Sequence, residues 1–460
     1  MDLEPGLLAG EVDRYADPRA PDRGRRRLAQ NALARSRVGH LVADPLARAG
    51  QPVARAFDLT LRPAAVLPVA DQRQSGRCWI FAFTALVRRC MVSHYPGLDP
   101  SFQLSQKFVQ VHDRVEKCNA LLEAYACLAL ERGGGGGSPT AGRGPDLEVL
   151  ALRDNYTGDG GTWAFFVGVV LKYGLVPQDD YPENLQSGST GDLRALLGRH
   201  LHSQYAAAAD HARRGRAEFV RWKRRVLRGC LRAALAFWGA PPRMVAWRGK
   251  QYTPLAFYHR IVRPAVDLEA FVVLISDPRN PYRRWYSVEL SHNVLPRDGG
   301  NTNLRRLPTQ MYYNVPGREF AALIRRSLRQ NRAVPFAADV QMFMRGDSSR
   351  MDLDLHYEDI LDFDAVGDRR DLYTNLVSGP NHAMLIVGAQ AGRGPSRSYQ
   401  VENSWGVQNA AHPYLTMTDG WLQHFGGEIV VHRDVASPAP PARAQDITFY
   451  PFWDIFGTLA

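Results

Sequence analysis

The chain has 460 residues, of which 45% are hydrophobic and 22% are charged, and this balance is typical of a globular protein with one to three folding units. Its longest apolar runs are far too short to span a bilayer, and its N-terminus lacks the apolar core of a signal peptide, so a membrane protein is excluded and a cytoplasmic one is expected. Five cysteines without a CxxC pair argue against a disulfide framework and against a zinc site. The formal net charge of +11 fits both a general arginine bias and an attraction to polyanions.

The pattern of the first part of the chain predicts an arm followed by helices. Residues 1–66 are rich in Arg, Ala and Pro with weak periodicity, and they predict an N-terminal arm. Helical patterns dominate residues 67–184, beginning with a helix near Cys78 that is apolar on nearly all sides and is therefore expected to be buried. The glycines at 133–137 predict a surface loop. The stretch "DGGTWAFFVGVVLKYGLVP" predicts a glycine turn and then a helix that ends at Gly174.

A polar and basic region follows the first helices of the chain. Within it, the segment 213–239 has the pattern of an amphipathic helix with many arginines. Two interpretations of its basic side remain open: an ordinary helix face exposed to solvent, or a surface that binds a polyanion. Binding of a single strand would call for aromatic residues among the basic ones, but helical spacing is more typical of aromatic residues packed on a core. The aromatic residues in question are Phe219, Trp222 and Trp238.

Short strands are predicted after this polar and basic region. Residues 271–436 contain β-branched or aromatic runs bounded by turn residues, among them "FVVLISD", "AVPFAADV", "AMLIVGAQ", "RSYQVENSW" and "GEIVVHR". Because helices come first and strands later, the predicted fold class is α+β. Residues 437–460 form a C-terminal tail with a proline spacer and an apolar end that cannot pack alone.

Cys78 lies where a polar loop becomes a helix. The unpaired N–H groups and partial positive charge of a helix N-terminus favour a thiolate, which is the reactive form of cysteine. Gln72 lies six residues upstream, where its side-chain amide and the Cys78 backbone N–H together would stabilise the oxyanion of an acyl-transfer intermediate. Taken alone, a cysteine at the start of a buried helix is better explained by packing.

A base for this thiol is predicted in the strand-rich part. His382 begins a predicted strand after a Gly-Pro turn, and Asn403 lies on the next strand of the same hairpin. Asn403 would accept a hydrogen bond from one imidazole nitrogen and leave the other to face sulfur, and Trp405 would shield that bond from water. His382 alone fits a structural role, but the four residues together favour nucleophilic catalysis by a thiol.

These motifs resemble those of the papain-type cysteine peptidases. The segments "DQRQSGRCWIF", "DGGTW", "KYGLVP", "TPLAFY", "VENSWG" and "WDIFGTLA" resemble one branch of that family, bleomycin hydrolase, from about residue 66 to the final residue. The resemblance implies a papain-like α+β fold that combines a helical half with a β-barrel-like half. It also implies a helical insertion over residues 185–270, which carries a hook for assembly, and a tail that lies in the active-site cleft. It implies Cys78 as the nucleophile, His382 as general base and acid, Asn403 as the orienting residue and Gln72 as the oxyanion donor. It implies no cofactor and no metal.

The resemblance also implies how a peptide substrate binds. Gly160 and Gly161 would pair with the main chain of an extended peptide, although a plain turn at a helix entry explains them equally well. The Ala460 carboxylate would pair with the free ammonium of the substrate and make the protein an aminopeptidase, since a buried ammonium needs a counter-charge. The alternative is that the tail only seals a core or a subunit boundary.

The expected function is therefore a cytoplasmic cysteine aminopeptidase that hydrolyses unblocked peptides and bleomycin-like amides. The resemblance further implies a homohexamer that encloses its active sites, with nucleic acid bound in the central cavity of some members. Two alternatives remain open. One is a nucleic-acid-binding assembly in which the basic helix holds single strands and proteolysis is secondary, and the other is an endopeptidase with an open cleft.

Overall fold

The computed structural model describes most of the chain. The described residues are 23–42, 57–62, 67–131, 147–288, 310–341, 343–345, 350–361, 363–390, 397–406, 414–439, 441, 443 and 446–457. Most of the N-terminal arm, the glycine loop at 133–137 and Ala460 lie outside these ranges.

Helices dominate the first half of the described chain, and a few shorter ones lie among the later strands. They are α1 (Arg23–Leu33), α2 (Val38–Leu41), α3 (Cys78–His94), α4 (Gln106–Glu131), α5 (Leu147–Thr157), α6 (Trp163–Tyr173), α7 (Gly191–His202), α8 (Tyr205–Arg213), α9 (Arg216–Trp238), α10 (Pro254–Phe257), α11 (Phe320–Arg329), α12 (Glu358–Leu361), α13 (Arg369–Thr374) and α14 (Asp419–Phe425).

Strands dominate the second half. They are β1 (Leu59–Thr60), β2 (Val245–Trp247), β3 (Lys250–Tyr252), β4 (Phe271–Ile275), β5 (Trp285–Val288), β6 (Met311–Asn314), β7 (Val334–Ala338), β8 (Met344–Arg345), β9 (Arg350–Met351), β10 (His382–Ala389), β11 (Ser398–Glu402), β12 (Leu415–Thr418), β13 (Gly426–His432) and β14 (Ile447–Tyr450). Helices first and strands later is the α+β order that the sequence predicts.

One large sheet organises the second half. Its strand order is β14-β5-β6-β4-β13-β7-β10-β11-β12-β9-β8, with β1 paired to the end of β10, while β2 and β3 form a separate hairpin. All eight residues of β10 are buried, as expected for a strand with neighbours on both sides and a helix on its face. In the register, His382 lies opposite Ala338 on β7, and Leu385 lies opposite Glu402 on β11.

Helix α3 packs on β10 and carries Cys78 at its first position. Eleven of its residues are buried, which confirms the prediction of a helix that is apolar on nearly all sides. The residue before it, Arg77, is almost fully buried and forms an ion pair of 2.9 Å with Glu183. Its guanidinium also donates to Gln110 Oε1 at 3.0 Å. These contacts fix the point at which the chain enters the helix.

The structure also differs from the sequence expectation in the sheet. Strands β6 and β14 were not predicted, because their pairing depends on distant partners: β14 lies parallel to β5, and β6 lies between β5 and β4. Asn403 lies one residue beyond β11 and not within the strand. Leaving the ladder frees its backbone for the turn that aims its side chain at His382.

The basic helix α9 has two distinct sides. Phe219, Trp222 and Trp238 are buried, as their helical spacing suggested, and so they are not placed to stack on bases. Exposed arginines occupy the opposite side, namely Arg221, Arg224, Arg225, Arg228 and Arg232. Within the described ranges, no helix has both the length and the apolar character needed to cross a bilayer.

A buried ion triad ties α3 to the sheet. Arg88 Nη2 lies 3.1 Å from Glu402 Oε1, and Arg89 Nε donates to Glu402 Oε2 at 2.8 Å. Arg88 also donates to the carbonyl of Pro68 at 2.9 Å, which holds the strand-like segment before the helix. Since Glu402 directly precedes Asn403, this triad sets the relative position of the helix and of the strand end beside His382.

We expect Glu402→Gln to lower the free energy of unfolding by about 3–5 kcal/mol, because it leaves two buried guanidinium groups without their counter-charge. The measurement is the midpoint of thermal or urea unfolding. Glu269→Gln is the matched control, since Glu269 is exposed and its carboxylate lies 3.5 Å from the exposed Arg263. Equal midpoints for the two variants would contradict a stabilising role of the triad.

Candidate active site

Cys78 and His382 meet in a cleft between the helical half and the sheet. The cleft has a volume of about 410 Å³, including the space open to solvent, and both residues line it. Cys78 reaches it from the first turn of α3, and His382 reaches it from the first residue of β10. Both are buried, with 5% and 6% of their surfaces exposed. The structure thus brings together two residues that are 304 positions apart (382 − 78) in the chain.

Asn403 fixes the orientation of the His382 ring. The ring Nε2 lies 2.8 Å from Asn403 Oδ1, and the same oxygen accepts a hydrogen bond from the Ser404 backbone N–H at 2.8 Å. Because Oδ1 is an acceptor, Nε2 carries the proton in this bond, and Nδ1 is the nitrogen left for the thiol. The Trp405 ring stacks on the imidazole with centroids 4.9 Å apart and covers the pair from one side.

The two reactive groups shift each other's pKa in opposite directions. Burial would raise the pKa of Cys78, but the charge of His382 and hydrogen bonds from the His382 ring and from the N–H groups of Ala383 and Trp79 lower it overall. Burial would lower the pKa of His382, but the thiolate charge and hydrogen bonds to Cys78 and Asn403 raise it. The favoured state is therefore a thiolate beside an imidazolium.

Gln72 lies beside this pair, in the loop before α3. Its backbone N–H donates to the Ser404 carbonyl at 2.7 Å, and its side-chain Oε1 accepts from the Ser404 hydroxyl at 2.5 Å. Its Nε2 donates to the Ser75 carbonyl at 2.5 Å. One amide hydrogen is thus used within the loop, and no described residue accepts the second. The sequence did not predict Ser404 as the partner that orients this amide.

The "DGGTW" stretch lies on the other side of Cys78. Gly161 lines the cleft, while the carbonyl of Gly160 accepts a hydrogen bond from Lys117 Nζ. A Cβ at Gly161 would come within 2.5 Å of the Trp79 ring, so the ring explains the glycine at this position. The sequence interpretation had attributed both glycines to the approach of a substrate backbone or to a plain turn.

Asp159, just before these glycines, connects three segments around the nucleophile. Its carboxylate pairs with Arg114 Nη2 at 2.6 Å and accepts from the Thr190 hydroxyl at 2.5 Å. It also accepts from the Gly76 backbone N–H at 3.3 Å, and its own carbonyl accepts from Trp79 Nε1 at 2.8 Å. Asp159 therefore holds the loop before Cys78 against the glycine stretch. The local sequence around Asp159 indicates no role for it, since its partners lie far away in the chain.

The C-terminal tail reaches the same cleft. Ile455 and Phe456 line it, and they are 7% and 4% exposed. The tail is held by the ion pair between Asp454 and Arg279 at 2.9 Å and by a hydrogen bond from Asn155 Nδ2 to the Phe452 carbonyl at 2.7 Å. The described chain ends at residue 457, so the position of Ala460, the predicted anchor for a substrate ammonium, lies outside the described residues.

Comparisons with known proteins agree with this architecture. The model of the Peptidase C1-like family matches residues 13–457. Among solved structures, the crystal structure of PepW from Lactobacillus rhamnosis superposes with a TM-score of 0.81 at 22% identity, and the match covers 99% of each chain. That likeness shows the same fold.

Curated relatives match most of the chain. Bleomycin hydrolase of Gallus gallus is 29% identical over 419 residues, covering 86% of this chain and 87% of the relative. The human bleomycin hydrolase is 27% identical over 414 residues, covering 85% and 86%. Aminopeptidase C of Listeria monocytogenes is 27% identical over 408 residues, with the same two coverages.

Because the pKa of Cys78 is lowered, its thiolate persists as the pH falls, and we expect fast alkylation at acidic pH. From pH 8 to pH 6 the rate with iodoacetamide should fall less than about tenfold, whereas an ordinary thiol slows by roughly 100-fold. The rate at Cys78 is followed by mass spectrometry of the modified peptide.

His382→Ala is the companion variant, because it removes the cation that lowers the pKa of Cys78. We expect its alkylation to be slow at pH 6 and to recover as the pH rises toward the ordinary thiol range. A wild-type profile as steep as that of His382→Ala would show that the two groups form no ion pair.

Proposed function

The chain belongs to the Peptidase C1-like family, and from this premise we propose that it releases the N-terminal residue of unblocked peptides and cleaves bleomycin-like amides by the same chemistry. In class it is a cysteine-type aminopeptidase, in line with relatives named bleomycin hydrolase and aminopeptidase C. The observation that carries the proposed mechanism is the His382–Asn403 hydrogen bond of 2.8 Å beside a thiol whose pKa is lowered.

The first step is acylation of the enzyme. The Cys78 thiolate attacks the carbonyl carbon of the scissile amide, and the carbonyl π electrons move to oxygen. The backbone N–H of Cys78 and the second amide hydrogen of Gln72 stabilise this oxyanion. Ser404 supports that role, because its hydroxyl holds the Gln72 carbonyl oxygen and thereby directs the NH₂ group. His382 then gives its Nδ1 proton to the leaving amine as the C–N bond breaks.

The second step is hydrolysis of the thioester. Water enters the place of the leaving amine, and neutral His382 takes one of its protons while the oxygen attacks the acyl carbon. The C–S bond breaks, the amino acid leaves, and the proton held by His382 restores the thiolate–imidazolium pair. Asn403 keeps the ring oriented through both steps, since its bond to Nε2 is compatible with the neutral and the charged imidazole.

The tail supports cleavage at the end of a peptide in preference to its interior. Ile455 and Phe456 occupy one part of the cleft that contains Cys78, which shortens the space available for a longer acyl segment. Their anchors, Asp454 with Arg279 and Phe452 with Asn155, hold them in place without any help from a substrate. An endopeptidase would need this part of the cleft to be open.

The test is an assay with matched fluorogenic amides of one amino acid, with the amine free or acetylated. We expect hydrolysis of the free-amine substrate only, and no hydrolysis of either by Cys78→Ala, because that variant lacks the nucleophile. Equal hydrolysis of both substrates by the wild type would establish the endopeptidase alternative. No hydrolysis of either substrate would contradict the peptidase proposal.

A second candidate function is binding of single-stranded nucleic acid along α9. The observation in its favour is the row of exposed arginines, while Phe219, Trp222 and Trp238 are buried beneath it. Such a surface contacts phosphates but offers no stacking platform, so binding would be electrostatic and independent of sequence.

We expect affinity for a single-stranded oligonucleotide to fall steeply with salt, by about 0.7 logarithmic units per contact for each tenfold rise in salt. Changing four arginines to glutamine should flatten this slope, because up to four phosphate contacts are lost. The four are Arg224, Arg225, Arg228 and Arg232.

The control carries the same change of charge on scattered exposed arginines. These are Arg243, Arg260, Arg329 and Arg370. The proposal requires the control to keep the wild-type slope. Equal slopes for the two variants would mean that net charge, and not the α9 surface, attracts the oligonucleotide.

A further inference from the structure

An acidic residue lies in the catalytic cleft without a described partner. Glu428 lines the cleft together with Cys78 and His382, and only 9% of its surface is exposed. Among the described residues, its carboxylate forms no ion pair and no hydrogen bond. Buried carboxylates are normally paired, because an isolated buried charge is costly. The mechanism proposed above gives this residue no task.

The sheet register places Glu428 relative to the reacting groups. Glu428 on β13 lies opposite Ala337 on β7, and Ala337 lies opposite Ala383 on β10, directly after His382. Neighbouring strands are about 4.8 Å apart, so the Cα atoms of Glu428 and Ala383 are separated by about 10 Å. The two alanines line the cleft as well, and their small side chains leave room above the sheet. Glu428, the two alanines, Cys78 and His382 all line this one cleft.

Most of the other residues that line the cleft are aromatic or aliphatic, with Thr162 and Asn381 as polar exceptions. Tyr312, Ile455 and Phe456 line the same cleft, and the Tyr312 hydroxyl donates to the Phe456 carbonyl at 3.3 Å. Tyr312 is the described titratable group that is coupled to Glu428: burial raises the pKa of its phenol, and the Glu428 charge adds to that rise. A carboxylate that ends an apolar recess is a typical arrangement for selecting a cation by charge.

We propose that the Glu428 carboxylate binds a cationic group of the substrate, and that it determines specificity in the aminopeptidase reaction. The cation is a primary ammonium or guanidinium, supplied by the substrate's free N-terminus or by a basic side chain. This inference rests on the proposed peptidase function. It differs from the predicted role of Ala460, because Glu428 belongs to the sheet and would keep its position if the chain end were changed.

The electrostatics of the free site agree with an exchangeable partner. Burial raises the pKa of Glu428 to about 7, so the free carboxyl readily holds a proton near neutral pH. A bound ammonium would favour the charged form and release that proton. Binding a cation thus relieves the cost of burying this group.

The experiment compares the wild type with Glu428→Gln, which keeps the shape of the side chain and removes its charge. Four fluorogenic amides are used: norleucine and lysine, each with a free and with an acetylated amine. The measured quantities are kcat and KM for each substrate. A charged hydrogen bond contributes enough that its loss should reduce kcat/KM by about 10- to 100-fold, mainly through KM.

The pattern identifies the source of the cation. A loss for both free-amine substrates assigns Glu428 to the α-ammonium, and a loss for lysine but not for norleucine assigns it to the basic side chain. An unchanged kcat/KM for both the free-amine norleucine and the free-amine lysine substrates would overturn the inference. Failure of the peptidase proposal looks different, because the wild type itself would then hydrolyse none of the substrates or would not distinguish the acetylated ones.

Three controls separate charge recognition at Glu428 from damage to the fold and from a general effect of net charge. The rate of Cys78 alkylation by iodoacetamide, a small neutral probe, should be the same in Glu428→Gln as in the wild type. Glu428→Asp retains the charge and should recover part of the lost kcat/KM. Glu269→Gln removes one negative charge from an exposed site and should leave kcat/KM for both free-amine substrates unchanged.

Discussion

The position of Glu402 between Arg88 and Arg89 is the constraint on which the site depends. The nucleophile belongs to a helix and the base to a sheet, so neither secondary structure alone can set the distance between them. Glu402 closes that gap with two guanidinium contacts of 3.1 Å and 2.8 Å, one residue before Asn403. The bonds between Gln72 and Ser404 add a second tie across the same boundary. Catalytic geometry tolerates little displacement, and this boundary is correspondingly rich in buried polar contacts.

Burial and mutual attraction have opposite effects on the charged forms of Cys78 and His382. Burial opposes the charged forms of both Cys78 and His382, yet each charge stabilises the other, and N–H groups at the start of α3 and of β10 add to the thiolate side. Glu428 shows the opposite outcome in the same cleft, since no cation among the described residues compensates its burial, which raises its pKa to about 7. The cleft therefore contains one satisfied ion pair and one carboxylate that is suited to a visiting charge.

The sequence predicted the parts of the site that follow from local pattern. The sequence predicts a thiol at a loop-to-helix junction and a histidine at the start of a strand. The structure places Cys78 and His382 at those points. Contacts between distant segments could not be predicted from the sequence, because they join residues far apart in the chain. Examples are the pairing of β14 with β5, the hydrogen bond between Gln72 and Ser404, and the contacts of Asp159. A buried carboxylate without a described partner, such as that of Glu428, leaves no pattern in the neighbouring sequence. The hexamer, the cytoplasmic location and the role of Ala460 stay predictions.

The tail has a consequence for the order in which the enzyme is completed during its synthesis. Ile455 and Phe456 form part of the wall beside Cys78, although more than 370 residues separate them from it in the chain (455 − 78 = 377). A growing chain that has already left the ribosome as far as Asn403 contains the nucleophile and its base but still lacks that wall. That wall is completed last, with the final strand β14 and the segment that follows it. Because β13, which lies between β4 and β7, also follows Asn403, the sheet that carries His382 is completed in the same last stretch of synthesis as the tail, so the base gains its folded surroundings and the cleft gains its end wall together.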